Sequence, residues 1–336
     1  MRGDILRNTE YLSRRRAAIL NKNAILNYIK DNGPITRTEI WEKLGLSRAS
    51  VTQITKVLLK LGMIEEIGVV EKQPKVGRKP IFLKFNENTK LVLVFDWHSR
   101  ILALMDLNSR INKKQIINVP EKIDPKSFSI ILKEAIDAFV ANEKIDRSLV
   151  LGLGLVMPGI IDPGDGTIIL FSEQNWRNIH LGNIMEQRTG LRTMVEADGN
   201  MHAIGEYLFG VARGVMNFVL FGVEETGIGM SIVMEGEIYR GENNMSGEIG
   251  HIKISKSGPI CACGDIGCLE SEFKAHFKNN SGELTDKALE YIQSAISIII
   301  NMLDPKMIVF SGSVFHKDGK KLVDKIQKSV MKTVIN

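Results

Sequence analysis

The sequence has few cysteines and no apolar run long enough to cross a membrane. It contains 3 cysteines in 336 residues, and its longest apolar stretches, such as "AISIIINMLDP", fall well short of the roughly 20 residues that a spanning helix needs. The N-terminal "MRGDILRNTEYLSRRR" has no apolar stretch behind its basic residues, which excludes a secretory signal peptide. These absences predict a cytoplasmic protein with no structural disulfides and no membrane partner.

Acidic residues are scarce in the first quarter of the chain. Residues 1–85 contain 17 Lys and Arg against 8 Asp and Glu, a net charge of +9, whereas the remainder contains 27 against 31, a net charge of −4. A basic segment joined to an acidic body favours nucleic acid as the partner of the first part, although a solvated basic face would give the same charge. The length also predicts more than one domain, and we place the boundary between residues 1–85 and 86–336.

Helix signals in the basic segment favour DNA over a merely solvated face. The stretch "NKNAILNYIKDNG" has apolar residues at helical spacing and ends before Pro34. In "TRTEIWEKLG", Thr36 and Glu39 have the spacing of a capping box, and Gly45 is placed to end the helix. A further helix begins immediately at Ser47, so the pattern predicts a helix-turn-helix.

The second helix of this pair is predicted to contact an operator in double-stranded DNA. Its sequence is "LSRASVTQITKVLLKLG". The stripe predicted to be buried is Val51, Ile54, Leu58 and Leu61. The residues off that stripe, which we predict to bind DNA, are Arg48, Ser50, Thr52, Gln53 and Lys56.

The segment after this helix predicts a β-hairpin wing. In "MIEEIGVVEKQPKVGRKPIFLKFN", two strand-like stretches flank a polar loop whose tip would present Arg78 and Lys79 to a minor groove. Helical hairpins also occur as plain interaction modules. The basic helix face, the wing and the charge excess together favour a winged helix-turn-helix DNA-binding domain.

From Leu91 onward the sequence predicts an α/β body. Strand hairpins such as "LVLVFDWHSRILALMDLNSRI" and "FVLFGVEETGIGMSIVMEGEIYRG" alternate with amphipathic helical stretches. The predicted helices cover residues 126–141, 182–190, 200–210 and 285–303. Hairpins followed by helices, twice over, indicate two related lobes with a cleft between them.

All three cysteines lie within eight residues of a loop that follows a histidine. The order is His251, Cys261, Cys263 and Cys268, with glycines between them that permit a tight fold. Three thiolates and one imidazole form a complete tetrahedral set, which predicts one structural Zn²⁺ per chain in a loop over 251–268. Scattered structural cysteines would be apolar and well separated, and a redox centre would show the Cys-x-x-Cys spacing, which is missing.

This loop carries a family resemblance. "GEIGH" (247–251) followed by "GPICACGDIGCLE" (258–270) resembles the signature of the ROK family, which groups bacterial sugar-responsive repressors and sugar kinases. Further similar stretches are "VMPGIID", "EADGNMHAIGE", "TGIGMSIVMEGEIYRG" and "DPKMIVFSGSV". The resemblance implies an actin-like fold of two ribonuclease-H-like lobes behind the winged helix-turn-helix, with a sugar bound in the interlobe cleft.

The resemblance also implies roles for individual residues. Asp198 matches the catalytic base of the family's kinases, a vestigial role unless the chain is itself a kinase, and would also be a sugar ligand. Glu248, His251 and Glu270 match residues that bind sugar hydroxyls. A carboxylate suits this role because it accepts hydrogen bonds from two neighbouring hydroxyls. In a kinase, Thr226 and Gly227 would belong to a phosphate-binding turn.

The chain departs from the family's kinases at the positions that approach ATP. Trp97 and His98 stand where the kinases have glycines, Glu225 replaces a glycine of the second phosphate turn, and Ala197 replaces a sugar-binding asparagine. Because bulky and acidic side chains oppose a close approach of phosphates, these departures favour a repressor.

The sequence therefore predicts a sugar-responsive transcriptional repressor whose body binds a sugar or a sugar phosphate. The alternative is an ATP-dependent hexose or N-acetylhexosamine kinase with an appended DNA-binding domain, which alone would require ATP and Mg²⁺. We expect a homodimer or a dimer of dimers. The segment from Phe273 to Leu289 is short for the family, and the sequence stops at Asn336 without the family's usual last strand and helix. We therefore expect either a trimmed C-terminal region or a sequence that is part of a longer chain.

Overall fold

The computed structural model describes residues 18, 21–68, 80–86, 90–225, 227–277, 284–316 and 318–331. The chain forms two compact units. The first unit consists of Met1–Leu93, Ala103–Lys114 and Val140–Gly152. The second unit consists of Val94–Leu102, Gln115–Phe139 and Leu153–Asn336.

The N-terminal part of the chain folds as a winged helix-turn-helix, as predicted. Its helices are α1 (residues 21–32), α2 (Arg37–Leu44) and α3 (Arg48–Lys60). Its strands are β1 (Ile35–Thr36), β2 (Ile64–Ile67) and β3 (Phe82–Phe85), which pair antiparallel in the order β1-β3-β2. A small apolar core holds them together and contains Ile25, Ile29, Ile40, Val51, Leu58, Ile64 and Leu83.

The predicted helix ends in this domain are confirmed. The Glu39 backbone N–H donates to Thr36 Oγ1 at 3.2 Å, and the Thr36 backbone N–H donates to Glu39 Oε2 at 2.8 Å, which completes the capping box. Gly45 ends α2 with φ of 65°, a left-handed conformation that favours glycine. The Ser47 hydroxyl caps α3 by accepting the Ser50 backbone N–H at 3.1 Å.

The predicted buried stripe of α3 is confirmed at Val51 and Leu58 and is wrong at Leu61. Leu61 is 40% exposed because it lies at the edge of the apolar face, whose centre runs through positions 51, 55 and 58. Thr55 is fully buried instead. Its Oγ1 accepts a hydrogen bond from Arg37 Nε at 3.0 Å, which compensates for the burial of a hydroxyl.

The described strands of the body form three sheets. The five-stranded sheet contains β4 (Leu91–Asp96), β5 (Ile101–Asp106), β6 (Ile111–Ile116), β7 (Val150–Met157) and β11 (Thr193–Ala197). Its strand order is β11-β7-β4-β5-β6. A three-stranded antiparallel sheet contains β8 (Ile160–Asp162), β9 (Thr167–Phe171) and β10 (Trp176–Ile179). The four-stranded sheet, in the order β14-β13-β12-β15, contains β12 (Phe218–Glu224), β13 (Gly227–Met234), β14 (Glu237–Tyr239) and β15 (Met307–Ser311).

The helices of the body agree with the prediction to within two residues where helices were predicted. They are α4 (Pro125–Asn142), α5 (Leu181–Thr189), α6 (Asp198–Phe209), α7 (Leu269–His276), α8 (Asp286–Leu303) and α9 (Gly319–Val330). The apolar stripe of α8 packs with β12 residues in one core, which includes Phe221, Ile292 and Ile296. Among the described helices, none is both long enough and apolar enough to span a membrane.

Candidate functional site

The exposed face of α3 carries the side chains that the sequence predicted to contact DNA. Four of them are exposed, namely Arg48, Thr52, Gln53 and Lys56. Ser50 is half-buried and its hydroxyl lies 2.8 Å from Ser47 Oγ. The Thr52 hydroxyl donates to the Arg48 carbonyl at 2.8 Å, so it retains only acceptor capacity for a base or a phosphate.

Two further features of this surface were not predicted. The Arg48 guanidinium lies 4.5 Å from the centroid of the Trp41 ring, a cation–π contact that restrains the arginine. Val57 is 45% exposed and offers an apolar surface that a thymine methyl group in the major groove could contact. The predicted wing-tip residues Arg78 and Lys79 lie outside the described residues.

A polar cavity of about 640 Å³ lies within the second unit. Its walls come from the turn after β4, the start of α6, the glycine-rich ends of β12 and β13, and the start of α7. Five carboxylates line it, namely Asp96, Asp198, Glu224, Glu248 and Glu270. Three of the four residues predicted to bind sugar, Asp198, Glu248 and Glu270, therefore line this cavity, although they are separated by up to 72 positions in the sequence. The fourth, His251, is not among the lining residues.

Gly227 belongs to the predicted phosphate turn and has a steric role in this cavity. A Cβ atom at this position would lie 2.7 Å from Glu270 Oε2, so a larger residue would displace that carboxylate. Glu270 itself is held by Lys274, whose Nζ lies 2.7 Å from Glu270 Oε1. The neighbouring Thr226 lies outside the described residues.

Asp198 is bound to an imidazole from the turn after β4. His98 Nε2 lies 2.7 Å from Asp198 Oδ2, and Asp198 Oδ1 accepts the Gly199 backbone N–H at 2.7 Å. The hydrogen bond to Asp198 raises the pKa of His98, while partial burial opposes this shift. Asp96 holds the same turn by accepting the backbone N–H groups of His98 and Ser99, both at 3.2 Å.

We expect the His98–Asp198 pair to make the free energy of unfolding depend on pH. The pKa of His98 is raised on folding, so its stabilisation is complete below the unfolded value of about 6.5 and is lost as the pH rises through the folded value. The side chains are 59% and 30% exposed, so the effect should be below about 1 kcal/mol. Urea unfolding of the wild type and His98→Gln, from about pH 6 to 8.5, measures this contribution.

The matched control for this prediction is His180→Gln. His180 is an exposed histidine whose Nδ1 lies 3.7 Å from Asp165 Oδ2, away from the residues that line the cavity. The stability difference between wild type and His98→Gln should decrease with rising pH. If the stability difference between wild type and His98→Gln stayed constant over this pH range, the assignment of the titration to His98 would be contradicted.

Glu248 connects the cavity to the cysteine loop. Its Oε2 lies 3.7 Å from His251 Nε2. Burial raises the pKa of the Glu248 carboxyl, His251 opposes the shift, and the carboxylates of Glu270 and Asp198 add to it. His251 therefore has one ring nitrogen toward the cavity carboxylate and the other, Nδ1, 3.4 Å from Cys261 Sγ.

The four residues predicted as metal ligands lie together. His251, Cys261, Cys263 and Cys268 each contribute one donor atom, and these atoms lie within 4.8 Å of one another. The sulfurs of Cys263 and Cys268 are 3.7 Å apart. Burial raises the pKa of the Cys261 thiol to about 11, so a nearby cation is needed to keep it ionised at neutral pH. The cluster could hold a metal ion.

A lysine lies beside this cluster and was not predicted from the sequence. Lys253 Nζ lies 2.6 Å from Asp265 Oδ2, 2.7 Å from the Ile266 carbonyl and 3.5 Å from Cys268 Sγ. Its charge would offset that of a thiolate, as groups around metal ligands commonly do. The spacing of Lys253 after His251 gives no sequence signal for this contact.

Trp97 does not block the first phosphate turn, contrary to the prediction from the sequence. Trp97 stands in this turn, but its side chain is 3% exposed and packs edge-on against Phe128 and Phe171, with ring centroids 5.3 and 5.1 Å away. Successive side chains point to opposite faces at the end of β4, so the Trp97 side chain enters the core and does not obstruct the cavity. His98 is the side chain of this turn that lines the cavity.

The second phosphate turn also differs from the sequence interpretation. Of the two adjacent glutamates, Glu224 is the one that lines the cavity, whereas Glu225 was predicted to oppose phosphate binding. Glu224 Oε2 accepts the Ser313 backbone N–H at 3.1 Å. The Glu224 carboxylate is thus hydrogen-bonded to the Ser313 backbone N–H at this end of the cavity.

An ion pair in the cavity wall was missed by the sequence analysis. Arg240 lines the cavity and binds Glu196 in a bidentate manner, with Nη1–Oε1 and Nη2–Oε2 distances of 2.9 and 2.6 Å. Asn200 Nδ2 donates to the same Glu196 Oε1 at 3.1 Å. The partners lie 44 positions apart, and neither residue stands in a pattern that predicts the other.

Comparisons with known proteins agree with this architecture. The ROK family matches residues 98–275, and a winged helix-turn-helix DNA-binding family matches residues 20–65. The xylose repressor of Bacillus subtilis (strain 168) is 30% identical over 323 residues, which cover 88% of this chain and 83% of that protein. The DNA-binding transcriptional dual regulator NagC of Escherichia coli (strain K12) is 27% identical, covering 93% of this chain and 84% of that protein.

Some relatives are longer than the matched region. The chain spans 63% of the length of two relatives from Caldicellulosiruptor, one of which is the xylose repressor of Caldicellulosiruptor bescii, 29% identical over 75% of this chain.

Solved structures show the same fold. The crystal structure of a ROK family transcriptional regulator, a homologue of the E. coli MLC protein, has a TM-score of 0.74 and 25% identity, and covers 95% of this chain and 89% of that chain. A ROK family glucokinase from Streptomyces griseus, solved with glucose and AMPPNP, has a TM-score of 0.59 and 23% identity over 73% of this chain and 90% of that chain. The predicted α/β body with an actin-like fold is therefore confirmed.

Proposed function

The chain belongs to the ROK family, and on this premise we propose that it is a sugar-responsive repressor of transcription. The observation that carries the proposal is the exposed polar and basic face of α3, which fits a DNA major groove. Relatives named xylose repressor and N-acetylglucosamine repressor support an aldose or an N-acetylhexosamine as the effector class.

We propose that the cavity binds the effector through its carboxylates. Asp198, Glu248 and Glu270 would accept hydrogen bonds from sugar hydroxyls, and an ionised acceptor makes these bonds stronger than neutral ones. His251 would bind a further hydroxyl through Nε2, close to Glu248. Bound sugar would favour one arrangement of two DNA-binding domains over another, and this differential affinity would alter operator binding.

We propose Zn²⁺ as the metal of the cysteine loop. Zinc bonds of about 2.3 Å to sulfur and about 2.0 Å to nitrogen in a tetrahedron require S–S separations of about 3.8 Å and S–N separations of about 3.5 Å. The 3.7 Å between Cys263 and Cys268 and the 3.4 Å between Cys261 and His251 fit these values. The ion would be structural, because four protein ligands complete its coordination.

The alternative function is that of a sugar kinase, which Asp198 in the cavity wall favours. Two observations oppose it. His98 occupies Asp198 Oδ2 at 2.7 Å and would have to move before that oxygen could take a proton from a sugar hydroxyl, and the charge of Glu224 in the same cavity would repel ATP phosphates. ATP and Mg²⁺ would have a role only in this alternative. A homodimer is proposed because operators with two half-sites require two recognition helices.

Binding to DNA from the upstream region of its own gene tests the proposed function. We expect specific binding that weakens steeply between about 50 and 200 mM salt, because lysines and arginines displace condensed counterions. Arg48→Ala should weaken specific binding by about 1–3 kcal/mol, and non-specific binding much less, if Arg48 contacts a base edge. Fluorescence anisotropy with specific and scrambled duplexes measures both affinities.

The matched control is Lys114→Ala, which removes a positive charge from an exposed side chain in β6, outside the helix-turn-helix. A specific affinity that Arg48→Ala leaves unchanged would exclude Arg48 from recognition. The failure of the wild-type protein to prefer the upstream duplex over the scrambled one would contradict the proposed repressor function.

A further inference from the structure

The charges of the cavity wall indicate which form of a sugar it can accept. The five carboxylates that line it belong to Asp96, Asp198, Glu224, Glu248 and Glu270. Such a wall offers many acceptors to hydroxyl groups. It also creates a negative potential, which the 2.7 Å contacts of Lys274 with Glu270 and of His98 with Asp198 offset in part.

The arginine of the wall does not offset this potential, because its charge is already neutralised. Arg240 forms a bidentate pair with Glu196, and both side chains are largely buried, 27% and 13% exposed. This arrangement uses two of the five N–H donors of the planar guanidinium in two parallel hydrogen bonds. A phosphate at the remaining donors would approach an arginine whose charge is already paired with the Glu196 carboxylate.

The imidazole nearest to the carboxylates is occupied in the same way. His98 donates to Asp198 at 2.7 Å, so protonation of His98 neutralises a charge of the wall and does not create a free cation. His202 also lines the cavity and is exposed. A phosphate ester carries one to two negative charges near pH 7 and would lie close to several carboxylates, whereas hydroxyls carry none.

We propose that the cavity binds an uncharged sugar and rejects its phosphate ester, and that Glu196 sets this preference by holding the charge of Arg240. The proposal rests on the proposed function, since it takes the cavity as the effector site. The specificity comes from repulsion between the wall and the phosphate as much as from attraction for hydroxyls.

The test compares sugars with their own phosphate esters on the full-length protein. The probes are D-glucose with D-glucose 6-phosphate, N-acetylglucosamine with its 6-phosphate, and D-xylose with D-xylose 5-phosphate, measured by isothermal titration calorimetry. We expect at least one free sugar to bind, and its ester to bind at least about tenfold more weakly. Raising the salt concentration should narrow this gap, because the repulsion is screened.

Glu196→Gln tests the role assigned to the ion pair. The amide preserves the shape of the side chain but frees much of the charge of Arg240, so the affinity for the ester should rise at least about tenfold relative to the free sugar. Adding Arg240→Gln to this variant should remove the gain. Glu186→Gln is the matched control, because Glu186 is a half-buried glutamate of α5 that accepts the Thr193 backbone N–H at 2.8 Å, outside the cavity lining.

Three results would count against the proposal, and they differ in what else they overturn. An ester that binds the wild type as tightly as its free sugar, or more tightly, overturns the proposed selectivity and leaves the sugar-responsive repressor intact. If no sugar or ester binds, the effector role of the cavity fails, and the selectivity fails with it. An equal gain in Glu186→Gln would assign the effect to net charge and overturn the role of Glu196.

Discussion

Cys263→Ser is expected to abolish both metal binding and the response to sugar. Cys263 is one of four donor atoms within 4.8 Å of one another, and a serine hydroxyl does not replace a thiolate as a zinc ligand. The binding energy of structural zinc reaches roughly 10–16 kcal/mol in small zinc-binding peptides, so the ordered loop should be lost with the ion. Metal analysis of the purified protein should find about one zinc per chain in the wild type and almost none in the variant.

The loss of the sugar response follows from the position of His251 between the cysteine loop and the cavity carboxylate. Its Nδ1 faces Cys261 at 3.4 Å, and its Nε2 faces Glu248 at 3.7 Å, so the geometry of the loop and that of the cavity wall depend on the same ring. Without the ion, this ring would lose its fixed orientation. Sugar should then no longer change the affinity for operator DNA.

Ile260→Ser is the control for this experiment. Ile260 belongs to the same loop and is 75% exposed, and its replacement introduces a serine without removing a donor atom. This variant should keep its zinc and its sugar response. Cys263→His, which restores a fourth donor, should recover part of the metal content. Full zinc occupancy in Cys263→Ser would contradict the proposed ligand set.

Glu248→Gln is expected to abolish detectable sugar binding. The change preserves size but removes the charge of an acceptor in the cavity wall, and charge-assisted hydrogen bonds contribute about 1.5–3 kcal/mol each. Because Glu248 can accept hydrogen bonds from two hydroxyls at once, its neutralisation should weaken sugar binding by roughly 100-fold or more. Isothermal titration calorimetry with the sugar that binds the wild type measures the change.

Glu242→Gln is the matched control for Glu248→Gln. Glu242 is an exposed glutamate six positions earlier, in the loop before the cavity residues, and it does not line the cavity. Its neutralisation should leave the affinity for sugar unchanged. Equal affinity of Glu248→Gln and the wild type would remove Glu248 from the binding site.

The same wild-type protein should not phosphorylate the sugar that it binds. Asp198 is held by His98, and Glu224 lines the same cavity, so its charge would oppose a triphosphate there. A coupled assay for ADP, with ATP, Mg²⁺ and the bound sugar, should therefore give no turnover above background. A turnover number within the ordinary enzyme range, roughly 1–10³ per second, would establish the kinase alternative.

The sequence by itself determined the features that depend on neighbours along the chain. The capping box of Thr36 and Glu39, the left-handed end of α2 at Gly45 and the spans of the main helices follow from local hydrogen bonds and periodicity, and the structure agrees with them. The grouping of the cysteines with His251 is of the same kind, because a loop of 18 residues with several glycines can bring its own side chains together.

Only the tertiary structure decided which distant side chains meet and which way a turn points. His98 and Asp198 are 100 positions apart, Arg240 and Glu196 are 44 apart, and Glu224 reaches Ser313 across 89. These contacts depend on strand order and sheet packing, which juxtapose segments regardless of their separation in the sequence. The same packing directed Trp97 into an aromatic core and left His98 facing the cavity, because burial of an indole in close-packed aromatic surroundings outweighs any preference of the turn itself.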